Sequence, residues 1–230
     1  PVWIDNEGDG DLDLFIGAGS PGRVKFYRNE GTPQAMSLVL RNSQVGNVTA
    51  DFNAAPALGD LDADGDLARL VGEFGVTGNP RLFHVRNDGT TQNPVWVTVC
   101  DDTPATCVFA QRVWTGDLAP ELADLDGDGD LDLLVGERDG NLNFYRNAGT
   151  PQAFNFVLES QAFAGAQVGF ESAPEVVDVD GDGNKDLWVG EQNGGLDYFH
   201  PEPPIGVEDP GGPAPAAAPR LVDATPNPTR

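Results

Sequence analysis

The chain has 230 residues, of which 37 are acidic and 13 basic, giving a formal net charge of -24 and a pI near 4.1. Such a balance argues against nucleic acid or an anionic membrane as partner, and no apolar run is long enough to span a bilayer. Apolar content of 39% with 29 Gly and 19 Pro points to short strands and many turns, not helices.

The first unit opens on Pro1 and reaches an acidic loop four residues later, Asp5-Asn6-Glu7-Gly8-Asp9-Gly10-Asp11-Leu12-Asp13. An apolar stretch ending in glycine follows, Leu14-Phe15-Ile16-Gly17. Next come an aromatic run from Val24 to Asn29, an Asn29-x-Gly31-Thr32 turn and an outer segment, Leu38-Val39-Leu40. The order recurs from Pro56 with a loop over 60–68, Arg69-Leu70-Val71-Gly72, Leu82 to Asn87, the turn Asn87 to Thr90, and Val95-Trp96-Val97. It recurs from Pro120 with a loop over 124–132, Leu133 to Gly136, Leu142 to Asn147, the turn Asn147 to Thr150, and Phe156-Val157-Leu158. The fourth unit, from Pro174, carries a loop over 178–186, Leu187-Trp188-Val189-Gly190 and Leu196 to His200, and there the pattern stops. Gly31, Gly89 and Gly149 are expected to supply the positive φ of a hairpin turn.

Each unit reads as four short antiparallel strands, and a period of roughly 55 residues with that content is a propeller blade. The expected fold is all-β, a β-propeller of four-stranded antiparallel blades with about four blades present, a partial ring completed by strands from a missing region, closed by itself, or completed by an oligomer. The repeats run over about 1–55, 56–119, 120–173 and 174–200, the longer second one holding an insertion. Cys100 and Cys107 lie in it, and a disulfide across this hairpin is expected in an oxidising compartment, with two free thiols as the alternative.

About half of the acidic residues sit in the four loops, where like charges repel unless a cation neutralises them. In Asp-x-Asp-x-Asp-Gly-x-x-Asp, carboxylates at positions 1, 3, 5 and 9 and the carbonyl of position 7 surround one ion. Oxygen donors alone select calcium. Asp124, Asp126, Asp128, Asp130 and Asp132 form a full set, as do Asp178, Asp180, Asp182, Asn184 and Asp186. The first loop offers Asp5, Glu7, Asp9, Asp11 and Asp13, with the longer Glu7 arm binding at some cost or through water. Asp60, Asp62, Asp64 and Asp66 form the second set, in which Ala68 replaces the closing carboxylate. Position 12 is Ile16, Val71, Val135 or Val189, not the Glu of a helix-flanked EF-hand, so these are strand–loop–strand sites. A metal enclosed in this way is structural, because no coordination position is left open for hydrolysis.

The Asp-rich loop, the Asp-Leu-x-x-Gly pattern that follows it and their fourfold phasing resemble the FG-GAP/VCBS repeat family over residues 1–200. These repeats form the blades of integrin-α-like β-propellers. The resemblance implies calcium in the loops joining the first two strands of each blade, a secreted or cell-surface location, and adhesion or ligand binding. Residues 201–219, rich in Pro, Ala and Gly, read as an extended linker, and 220–230 as the start of a truncated C-terminal module. Ala224-Thr225-Pro226-Asn227-Pro228 resembles the start of Ig-like sorting modules on secreted bacterial proteins. The chain begins at Pro1, inside its first repeat, as an excised or processed fragment would, so the lack of a leader is uninformative.

The leading functional expectation is a non-catalytic module for an extracellular protein or glycan ligand. Its alternatives are the propeller of a polysaccharide-active, lyase-like enzyme and a passive spacer. Trp96, Trp114 and Trp188 are candidate contacts, although a Trp inside an apolar strand is more often core. His84 and His200 hold related places on third strands, and no nucleophile motif accompanies them, so no catalytic residue is assigned. A homo-oligomer completing the propeller is a further expectation.

Overall fold

The computed structural model describes residues 1–48, 50, 52–74, 80–100, 114–166, 168–179 and 185–199. The Cys100–Cys107 bridge, the linker and the C-terminal module therefore lie outside the described residues. The protein is a four-bladed β-propeller, with no α-helix among the described residues. Blade 1 comprises β1 (Val2–Ile4), β2 (Asp13–Gly17), β3 (Val24–Asn29) and β4 (Leu38–Asn42). Blade 2 comprises β5 (Phe52–Gly59), β6 (Ala68–Phe74), β7 (Leu82–Asn87) and β8 (Trp96–Cys100). β9 (Ala119–Ala123), β10 (Asp132–Gly136), β11 (Leu142–Asn147) and β12 (Phe156–Ser160) form blade 3. Blade 4 holds three described strands, β13 (Ala173–Val177), β14 (Asp186–Gly190) and β15 (Leu196–Phe199).

Every blade is an antiparallel meander whose strands pair in chain order. The inner strands β1, β5, β9 and β13 line the axis and pack in sequence, β5 on β1, β9 on β5 and β13 on β9. An inner strand has only one ladder partner, so its proline takes nothing from the sheet. Pro56, Pro120 and Pro174 sit opposite Val71, Val135 and Val189. The second-strand glycine of blades 1 to 3 has a different cause: the next blade's backbone passes directly over it. A Cβ on Gly72 would lie 2.2 Å from the Leu118 carbonyl oxygen, and one on Gly136 2.0 Å from that of Ser172.

The core is three inter-blade clusters. Phe15, Val24 and Phe26 of blade 1 meet Leu58, Val71 and Val85 of blade 2. Leu70 and Leu82 meet Leu122, Leu133 and Tyr145 between blades 2 and 3. Leu134, Leu142 and Phe144 meet Leu187, Val189 and Phe199 between blades 3 and 4. A short 3₁₀ turn before the next blade, Val45–Asn47 or Phe163–Gly165, adds apolar cover in the first and third of these.

The Asn-x-Gly-Thr turns are held by a mechanism other than the expected one. Gly31, Gly89 and Gly149 are not among the residues with positive φ. A Cβ on them would instead come within 2.1 to 2.3 Å of the carbonyl oxygens of Ala35, Asn93 and Ala153. The asparagine is the clip: Asn147 Oδ1 accepts from the backbone N–H of Gly149 at 3.1 Å and of Asn155 at 2.8 Å. Asn29 and Asn87 do the same in blades 1 and 2.

Candidate functional site

The acidic loops join the first two strands of each blade, so the propeller presents them on one face together with the asparagine turns. Blade contacts confirm the shared face: Asn6 Nδ2 donates to the Thr91 carbonyl, and Gln92 Nε2 to that of Glu7, both at 3.4 Å. Each described loop is folded by its own first aspartate. Asp5 accepts from the N–H groups of Gly8, Asp9 and Gly10 at 2.7, 3.1 and 2.9 Å. Asp124 accepts from Gly127 and Gly129, and Asp60 from Gly65. The bend places Gly10, Gly65 and Gly129 at φ of 89°, 88° and 94°, where an L side chain would be strained.

This fold converges two carboxylate triads. Asp60, Asp62 and Asp64 each bring one oxygen within 4.8 Å of the others, and so do Asp124, Asp126 and Asp128. Burial raises the Asp62 and Asp126 carboxyls above the ordinary range, and the charges of their neighbours add to it. Asp130 is pushed up to about 6 by burial and then by Asp128. Crowded, partly desolvated oxygens are what a hard cation relieves, so these residues fit calcium. In the first loop Glu7 is turned toward an ion pair with Arg28. Its carboxyl is raised to about 7, by burial first and then by a hydrogen bond shared with Asp13. Of the fourth loop, Asp180, Asp182 and Asn184 lie outside the described residues, and Asp178 and Asp186 flank them.

The position-9 carboxylates have a second task that spacing did not reveal. Asp13, Asp132 and Asp186 are all buried at the start of the second strand. Asp132 accepts from the N–H of Leu125 at 3.0 Å and of Asn147 at 2.8 Å. Asp13 accepts from Asn6 and Asn29, and Asp186 from the Val179 N–H and the Tyr198 hydroxyl. The residue thus ties loop, second strand and third strand together. Ala68 forgoes this clamp, yet the triad of its loop still converges.

A groove of about 520 Å³ runs between blades 1 and 2. It is lined by Asn47, Arg81, Phe83, Trp96 and Thr98, with Val97 and backbone from Gly46. Arg81 is held in place by the fully buried Glu73, with its Nη2 donating to Oε2 at 3.2 Å. Thr98 Oγ1 donates to the Gly46 carbonyl at 2.7 Å, closing the floor. Behind Trp96 lies Arg69, its guanidinium 4.2 Å from the Phe15 ring centroid and packed on the Trp96 ring. Arg69 stands where the other blades have Leu14, Leu133 and Leu187, a departure visible in the aligned repeats. The remaining candidates sit elsewhere. Trp114 is core beside Tyr145, and Trp188 stacks on Tyr198 at 4.4 Å. His84 packs edge-on to Phe154, and burial lowers it to about 4; His200 lies outside the described residues.

Antiparallel blades around an axis, with an Asp/Gly loop joining the first two strands of each, define a repeat-built β-propeller. The chain belongs to the FG-GAP-like repeat family, whose model matches residues 5–71 and 124–189. It is similar to the solved structure of a lectin from Agrocybe aegerita, described for its specific recognition of non-reducing terminal N-acetylglucosamine. The two are 19% identical with a TM-score of 0.47, over 86% of this chain and 48% of that one. The chain thus spans about half the length of that structure. No curated protein matches the chain.

Proposed function

We propose that this propeller is a non-catalytic binding module of a secreted or cell-surface protein. It takes an extracellular glycan or protein ligand and uses calcium as a structural ion. The observation that carries this reading is the groove between blades 1 and 2. Trp96 offers apolar ring surface, Phe83 being buried beneath Arg81, and Asn47, Thr98 and Arg81 offer hydrogen-bonding groups beside it. A sugar presents the same combination, a ring of C–H groups and a rim of hydroxyls. None of the described residues that line this groove is an acidic-loop carboxylate, and calcium in the loops acts by fixing the blades that form its walls.

A glycan array probed with the labelled chain, with calcium and then with EDTA, tests the reading. Binding in calcium that falls at least tenfold in Trp96→Ala supports it. Cleavage of a polysaccharide by the purified chain would replace it with an enzymatic role. Equal binding by wild type and Trp96→Ala would move the ligand away from this groove.

A further inference from the structure

The inter-blade interface is built from two different faces, and among the described residues one copy of each is left uncovered. A departing face is formed by the glycine-ended second strand and its third-strand partner. At one of its positions stand Val24, Leu82, Leu142 and Leu196, each paired with the blade's glycine. The first three are 0% exposed, under the next blade, whereas Leu196 is 62% exposed. Val179, in the place of the buried Leu61 and the packed Leu125, is 57% exposed. Val177 and Tyr198 extend the same patch. A Cβ on Gly190 would meet nothing closer than its own blade's Ala173 carbonyl at 3.9 Å, unlike Gly72 and Gly136.

The receiving face shows the opposite lack on blade 1. Trp3 stands where Leu58 and Leu122 insert into the preceding blade, and it is 45% exposed. Leu12 takes the place of Leu67 and Leu131, which pack on the preceding clusters, and is half exposed. Leu40, equivalent to Leu158, completes the patch. These two patches hold seven of the exposed large apolar residues, on surfaces that are buried at every other blade junction. Water contact with that much apolar surface is unfavourable, and the matching shape has already formed three times in the chain.

We propose that blade 4 of one chain seats on blade 1 of a second copy, head to tail, continuing the inter-blade interface. A junction between unlike faces either closes into a ring or runs on as a filament. Two such junctions close two chains into one ring of about eight blades, within the range propellers adopt.

Light scattering after size exclusion, in calcium, reads this as twice the 24.3 kDa of one chain. Trp3→Asp and Leu196→Asp lie on exposed sites and each spoils one face, so both are expected to run as single chains with unchanged circular dichroism. Mixing them is the sharper test, since one junction of the mixed pair is then wild type on both sides. The mixture is expected to recover a two-chain species that neither variant forms alone. A single-chain mass for the wild type overturns the proposal. So does a wild-type dimer that survives both substitutions, or a mixture that stays monomeric.

Discussion

Arg69 is the residue at which the repeat and its physics disagree. Its guanidinium is fully buried, and none of its nitrogens has a hydrogen-bond partner among the described residues. Stacking on Phe15 and Trp96 returns about 2 kcal/mol, while taking the charge out of water costs several. Burial accordingly holds its pKa well below the usual arginine value. Desolvation wins, so Arg69→Leu, which restores the residue of the other blades, is expected to stabilise by about 1–3 kcal/mol in urea unfolding. A loss of stability would show that the charge has a partner. His84 gives a pH-dependent counterpart. Its folded value of about 4 lies below the unfolded value of about 6.5, so the half-buried neutral ring favours folding above pH 6.5. That contribution is lost as pH falls through 4. In His84→Phe, which copies Phe26 and Phe144, the drop in stability from pH 7 to 4.5 is expected to shrink by on the order of 1 kcal/mol. An unchanged pH profile would refute the assignment. Arg69 was visible in the sequence as a break in the leucine column, but its packing was not, because two different blades supply its flanking rings.

At the scale of elements, strand order and loop placement were legible, since each follows from a local pattern recurring in phase. The turn glycines were legible as turns but for the wrong reason. Their need for a missing Cβ arises from a carbonyl four residues on, which φ preferences do not encode. The clip itself makes a prediction. Asn147→Ala leaves the N–H groups of Gly149 and Asn155 without their acceptor. The expected cost is about 1–3 kcal/mol, read from the denaturant midpoint, because the groups are partly shielded from water. Asn147→Asp keeps an acceptor oxygen and is expected to retain most of the stability. If both variants lose equally, the oxygen is not what holds the turn. The dual use of Asp132 was hidden for a related reason: its backbone donors belong to residues 125 and 147, far apart in sequence.

For the whole molecule, the blade count and the first three strands of blade 4 were readable from the repeat, while the unequal burial of its end faces required the packed structure. Calcium is the remaining global variable. The two converged triads lie on neighbouring blades 2 and 3, and each bridges an inner strand to the strand beside it. An ion that binds only the folded loops adds about 1.4 kcal/mol per site at tenfold its dissociation constant. Two sites then add about 3 kcal/mol, which for a chain of this length is a melting shift of about 6–12 °C. EDTA is expected to lower the melting temperature by that amount. Calcium should restore it, whereas magnesium should restore little, because it favours a smaller octahedral shell and sheds water reluctantly. Substituting Asp62 and Asp126 together with Asn should abolish most of the calcium shift while leaving the EDTA-treated melt near wild type, since the first aspartates still fold the loops. If the melt of the wild type is the same in EDTA and in calcium, the loops are turns stapled by their own backbone bonds. The crowding of their carboxylates would then be a cost the fold bears without an ion.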